Sequence, residues 1–151
     1  MLPSLITRIP GLTYGNVTYV AVSSWRLARA VAECGQLGVV SGTALDLVLA
    51  RRLQNGDEGG YVRRALHHFP DQDLVDRALI RYFFDGGRAE GESYAPILKM
   101  TLTPNRSSQE LLILGGFVET WLAKKGHDGP IGINCLEKIQ LSTPGTLYGA
   151  M

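Results

Sequence analysis

Apolar positions along the chain fall into two alternating patterns. Val17 to Val22 (VTYVAV) is a nearly continuous β-branched and aromatic run, which predicts a buried strand. Ser23 and Ser24 follow as candidate caps. Trp25, Ala28 and Ala32 then recur on one helical face, flanked by Leu27 and Val31, while Arg26, Arg29 and Glu33 point the other way. This helix ends at Gly35. Leu37 to Ser41 (LGVVS) predicts a second buried strand, and Gly42 and Thr43 make the turn after it. Thr43–Asp46 resembles a capping box with Asp in place of Glu. Leu45, Val48, Leu49 and Leu53 give a second helix that stops near Asn55–Gly56. Strand, helix, strand, helix implies parallel strands joined by helical crossovers.

The alternation then breaks. Gly59–Gly60 opens a helix carrying Val62, Ala65, Leu66 and Phe69, and Pro70 stops it. A further helix carries Val75, Ala78, Leu79, Tyr82 and Phe83 and stops at Gly86–Gly87, ahead of a polar loop over 84–96. Residues 57–96 therefore read as a helical insertion between βα units. Beyond it, Ile97 to Leu102 offers a short strand. Leu111 to Leu114, bounded by Gly115–Gly116, is read as another strand, although Ser107–Glu110 could instead cap a helix. Phe117, Trp121 and Leu122 predict a helix to about Lys125, with Gly126 as its cap. Pro130 to Cys135 (PIGINC) is a strand that tolerates Pro at its start, and Thr143–Pro144 opens a last helix.

Composition narrows the class more than the function. Apolar residues are 45% and charged residues 19% of the 151, the proportions of a globular chain. With 15 Lys plus Arg against 14 Asp plus Glu, the formal charge is +1, so net charge does not indicate a nucleic-acid surface. Glycine is high, 18 of 151, and sits at the edges of apolar runs. Cys34 and Cys135 form no C-x-x-C and read as two buried free thiols of a reducing compartment. MLPSLITRIP lacks the apolar stretch of a signal peptide, and no apolar run is long enough to span a membrane, so a cytoplasmic location is expected. The sequons at Asn16 and Asn105 then read as chance matches.

Ligands of parallel α/β folds sit beyond the carboxyl ends of the strands. That rule selects Ser23–Ser24, Ser41–Gly42–Thr43, Gly115–Gly116 and Asn134–Cys135. Small residues let a flat ring or a phosphate approach the backbone. The Asn134 carboxamide supplies both a donor and an acceptor, which suits a ring edge of alternating carbonyl and N–H groups or, equally, a local turn. The dinucleotide glycine fingerprint, the P-loop and the esterase elbow are absent. His67–His68 reads as a solvent-facing pair and not as a metal site. His127 precedes a strand, at the end of such folds concerned with stability, and the Arg51–Arg52 and Arg63–Arg64 pairs read as solvated helix faces. No catalytic triad, metal cluster or carboxylate pair emerges.

Several stretches taken together resemble the nitronate monooxygenase (2-nitropropane dioxygenase) family. They are Ser23–Val31 (SSWRLARAV), Gly35–Asp46 (GQLGVVSGTALD), Leu49–Gln54, Val62–Leu66, Trp121–Pro130 (WLAKKGHDGP), and Gly132–Asn134 with Leu136–Gln140. The similarity covers roughly residues 22–151, and is greatest to a branch with a helical insertion early in the barrel. The resemblance implies that residues 1–151 are the N-terminal portion of an FMN-binding TIM (β/α)8 barrel, a partial and incomplete α/β barrel with the insertion at 57–96. It implies FMN as cofactor, with an alkyl nitronate and O2 as substrates of the full-length parent, this chain alone being inactive. Neither nucleic acid nor membrane is implied as a partner, and open barrel edges imply self-association. Asn134 matches the flavin-contacting Asn of the family's Gly-x-Asn strand end, and Ser41 and Gly42 would lie at the mouth. The segment Thr7 to Val22 lacks the family's Gly-Gly-Met-Gly-type motif. The family's catalytic His and phosphate loops fall beyond Met151, so no catalytic residue is assigned. An FMN-dependent enoyl reductase of lipid or polyketide synthesis, acting on an enoyl compound, is the neighbouring expectation. A non-catalytic truncated remnant is the other.

Overall fold

A computed structural model describes residues 22–98, 101, 103 and 105–151. These residues run α1 (Trp25–Glu33), β1 (Gly38–Ser41), α2 (Leu45–Gln54), α3 (Tyr61–Leu66), α4 (Gln72–Tyr82), α5 (Arg106–Lys124), β2 (Ile131–Asn134) and α6 (Thr143–Ala150). The architecture is mixed α/β, mostly helical, with one small parallel sheet of two strands. The strand expected over Val17–Val22 lies, except for Val22, outside the described residues.

The first two βα units follow the apolar pattern. Trp25, Ala28 and Ala32 of α1 are buried as their spacing requires, whereas Leu27 on the flank is exposed. In β1, Gly38 and Val40 turn inward, and Val40 is fully buried beneath the helices. Leu45, Leu49, Ala50 and Leu53 form the inner face of α2. The expected capping box at its start is not formed. Ala44 stands at the cap with φ 53°, and the Asp46 carboxylate accepts the neighbouring Leu47 N–H at 2.8 Å instead of reaching back to Thr43.

Helices α3 and α4 share the core of the βα units. Val62, Ala65 and Leu66 of α3 and Leu74, Val75, Ala78 and Tyr82 of α4 are buried in the same cluster as Val40 and Leu49. Both helices begin on a carboxylate. Asp57 accepts the N–H groups of Val62 and Arg63 at 2.8 and 2.9 Å, and Asp71 accepts that of Leu74 at 3.0 Å. Such bonds satisfy donors that have no partner within the helix. The loop after α4 is tied to α2 through buried Gln54, whose side-chain oxygen accepts the Ala95 N–H at 2.8 Å and whose carbonyl accepts the Arg88 N–H at 2.8 Å.

The expected strand at Leu111–Leu114 is instead the middle of α5, a helix of 19 residues that starts eleven residues before the predicted helix at Phe117. Ser108, Leu111, Leu112, Gly115, Val118, Glu119, Leu122 and Ala123 are all buried, a spacing of three and four that only a helix presents on one side. Asn105 starts it by accepting the N–H groups of Ser107 and Ser108, which settles the helical alternative for that stretch. Gly115–Gly116 is therefore a helix interior and not a strand end. These glycines serve close packing: a Cβ on Gly115 would stand 2.5 Å from the Leu45 carbonyl oxygen, and one on Gly116 2.5 Å from that of Thr146. Gly149 of α6 would likewise meet the Ile113 carbonyl oxygen at 2.0 Å. Here α5 and α6 touch backbone to backbone. Of the short strand expected over Ile97–Leu102, the described residues Ile97, Leu98 and Thr101 carry no strand pairing.

β1 and β2 run parallel, with Gly38, Val39, Val40 and Ser41 opposite Ile131, Gly132, Ile133 and Asn134. The Gly38 and Gly42 N–H groups point to β2, donating to Pro130 and Asn134 carbonyls at 3.0 and 2.8 Å. The Ser41 N–H points to the opposite side and donates to the Ser23 carbonyl at 2.8 Å. Because amides alternate sides along a strand, β1 lies between Ser23 and β2.

Candidate functional site

Three segments selected separately in the sequence come together at one edge of the sheet. Register places Ser41 directly beside Asn134. Ser23 lies across β1 from Asn134, its hydroxyl donating to the Val39 carbonyl and its carbonyl accepting from Ser41. Gly115–Gly116, the fourth selected place, is buried in α5 away from any strand end.

Gly42 is buried at the centre of this edge, and its neighbours leave little room for a side chain. A Cβ there would be 3.0 Å from the Asn134 carbonyl oxygen, the Cys135 Sγ and the Ile133 Cγ1. The crossing from β1 to α2 thus seals against the end of β2, and Asn134 is left exposed at the rim. Cys135 is half-buried, and burial pushes its thiol up from the ordinary value, so it stays protonated near neutrality and is a poor nucleophile. Asp46, one helical turn beyond Gly42, is also pushed up by burial, which outweighs the opposing hydrogen bond from the Leu47 N–H. Cys34, expected to be buried, is exposed, because it caps the solvent end of α1.

The other candidates fall elsewhere. His127 follows α5, and its Nε2 lies 2.6 Å from the Ala123 carbonyl oxygen, closing the helix end at the opposite end of β2 from Asn134. His67 and His68 are exposed, and His68 stacks on Trp121 with ring centroids 4.7 Å apart. Among the described residues, no three His, Cys, Asp or Glu side chains are grouped to hold a metal ion. No described helix is long and apolar enough to cross a membrane.

Sequence reasoning missed the polar junction beneath α1. Glu119, only 3% exposed, accepts the Trp25 N–H at 2.9 Å and pairs with Arg52. Arg52 is therefore not part of a solvated face, and Arg51 also turns inward, its guanidinium 4.0 Å over the Tyr94 ring. A Glu at an inward position of an apolar helix was the available signal, since a buried carboxylate demands a donor set. Trp25, Arg26, Arg52, Asn55, Asp57, Glu58, Tyr61 and Val62 enclose a cavity of about 130 Å³ beside this junction. That cavity includes none of Ser41, Gly42 and Asn134.

Comparison with known proteins finds no matching family model, no similar curated protein and no similar solved structure.

Proposed function

We propose that the sheet edge formed by Ser41, Gly42 and Asn134 is the ring-binding end of an FMN site, in an oxidoreductase resembling nitronate monooxygenase. The observation that carries this reading is the register that sets Ser41 beside Asn134 at the carboxyl ends of parallel strands. In barrel enzymes that edge is where ligands bind. The donor set suits a flavin: Asn134 offers a donor and an acceptor from one exposed carboxamide, matching the alternating carbonyl and N–H groups of the ring edge. Buried Gly42 lets the backbone of the β1–α2 crossing close against the end of β2, which sets the position of Asn134 at the rim. In this reading Asn134 orients the ring, and the Ser41–Gly42 turn lines its approach. When bound, FMN supplies electron transfer from an alkyl nitronate to O2. The Ser23 backbone, β1 and β2 lie in that order, which is also the order expected within a barrel wall.

FMN titration of the purified chain, followed by flavin fluorescence, tests the proposal. Saturable binding is expected, and Asn134→Ala should weaken it by about tenfold, the usual consequence of losing a hydrogen-bond partner. Unchanged affinity in the variant removes Asn134 from the site, and a colourless chain with no affinity for FMN overturns the flavin reading. In the full-length parent, oxygen uptake with an alkyl nitronate, set against oxidation of reduced nicotinamide with an enoyl thioester, separates the monooxygenase from an enoyl reductase.

A further inference from the structure

A second concave surface lies on the helical part of the chain. Gly60, Arg63, Arg64, His67, His68 and Lys125 line an open groove of about 520 Å³, within the size range of small-molecule sites. Its lining holds three permanent cations and two imidazoles and no carboxylate. The two arginines come from α3 and the lysine from the end of α5, far apart in sequence, so the local sequence of neither reveals the cluster.

These head groups are held in place. The Arg63 Nε is fixed at 3.2 Å by Asp57, and its guanidinium lies 4.4 Å from the Phe83 ring centre. An Arg64 terminal nitrogen donates to the Gly59 carbonyl at 2.7 Å. His68 and Lys125 both rest on Trp121, the Lys125 Nζ 4.6 Å from its ring centre. Among the described residues, neither Arg64 nor Lys125 pairs with a carboxylate. Asp57 offsets the charge of Arg63, but Arg64 and Lys125 have no counter-charge among the described residues, and a bound anion relieves their repulsion. Because the side chains are already positioned, an anion spends little entropy in ordering them.

We propose that this groove binds an oligophosphate group, such as pyrophosphate or the diphosphate of a nucleotide. Guanidinium forks match phosphate oxygens in pairs, and a diphosphate has enough oxygens to engage cations on both walls. The groove shares no residue with the Ser41–Gly42–Asn134 edge, so the two assignments succeed or fail separately.

Calorimetric titration of the purified chain with pyrophosphate, and in parallel with ADP, tests it. One saturable site is expected. Arg64→Gln and Lys125→Gln should each weaken it by about tenfold, the scale of a lost charged hydrogen bond. Both residues are exposed, so the variants keep the fold. Arg106→Gln, on the outside of α5, should bind as the unaltered chain does. Equal affinity for pyrophosphate and ADP supports recognition of the phosphates alone, and tighter ADP binding supports a nucleotide. The proposal is overturned if pyrophosphate gives no more heat than sodium chloride at matched ionic strength, or if Arg106→Gln costs as much as Arg64→Gln. It is also overturned if a single-stranded oligonucleotide binds while pyrophosphate does not compete.

Discussion

α5 and α6 meet with Gly149 against the Ile113 carbonyl and Gly116 against that of Thr146, whereas β1 and β2 share four registered residues and end in an exposed carboxamide. Both regions rest on glycine, but to opposite effect. Between the helices, the missing side chains let two backbones interlock around buried Gly116, Thr146 and Gly149. At the sheet edge, Gly42 seals the backbone below and leaves Asn134 facing outward. Stability is concentrated where close packing excludes water, and the chemistry that could meet a ligand stands where it does not. The Glu119 junction belongs to the first kind: its carboxylate is enclosed and occupied by Arg52 and the Trp25 N–H.

The largest effect is expected from Glu119→Ala, which strands Arg52 and the Trp25 N–H beneath α1. Breaking a buried pair from one side costs about 3–5 kcal/mol, read as a fall in the urea midpoint. A loss under about 1 kcal/mol, the range of surface pairs, would show that the junction is open to solvent. Gly149→Ala is expected to cost about 1–3 kcal/mol, the usual penalty of overpacking, because the new methyl meets the Ile113 carbonyl. An unchanged midpoint would break the contrast by showing that α6 can move away freely. The smallest effect is expected from Asn134→Ala, within about 0.5 kcal/mol as for an exposed position. A larger loss in the same urea unfolding would move Asn134 into the structural class and remove the contrast from the other side.

Local features were readable where a short stretch decides its own conformation. The inward face of α1, strand β1, the stop of α2 at Asn55–Gly56 and strand β2 all follow from spacing and turn residues. Gly126, with φ 81°, ends α5 as a left-handed cap. The stretch Leu111–Gly116 misled because four apolar residues between polar ones and a glycine pair satisfy a strand and a buried helix equally. Its helical state depends on carbonyls of α2 and α6, 65 or more and 30 or more residues distant respectively, which only a glycine surface can approach. The candidate edge was legible as separate pieces, and the pairing of those pieces was not.

The chain by itself determined the periodicity of its helices, the positions of its turns, and which residues at strand ends are small or carry an amide. Those properties follow from backbone dihedrals and side-chain shape within a few neighbours. Tertiary structure decided that Ser41 faces Asn134, that Glu119 receives Arg52, and that Lys125 joins Arg63 and Arg64 around one groove. Each joins residues that lie tens of positions apart, so it depends on which faces pack, and no local preference encodes that choice.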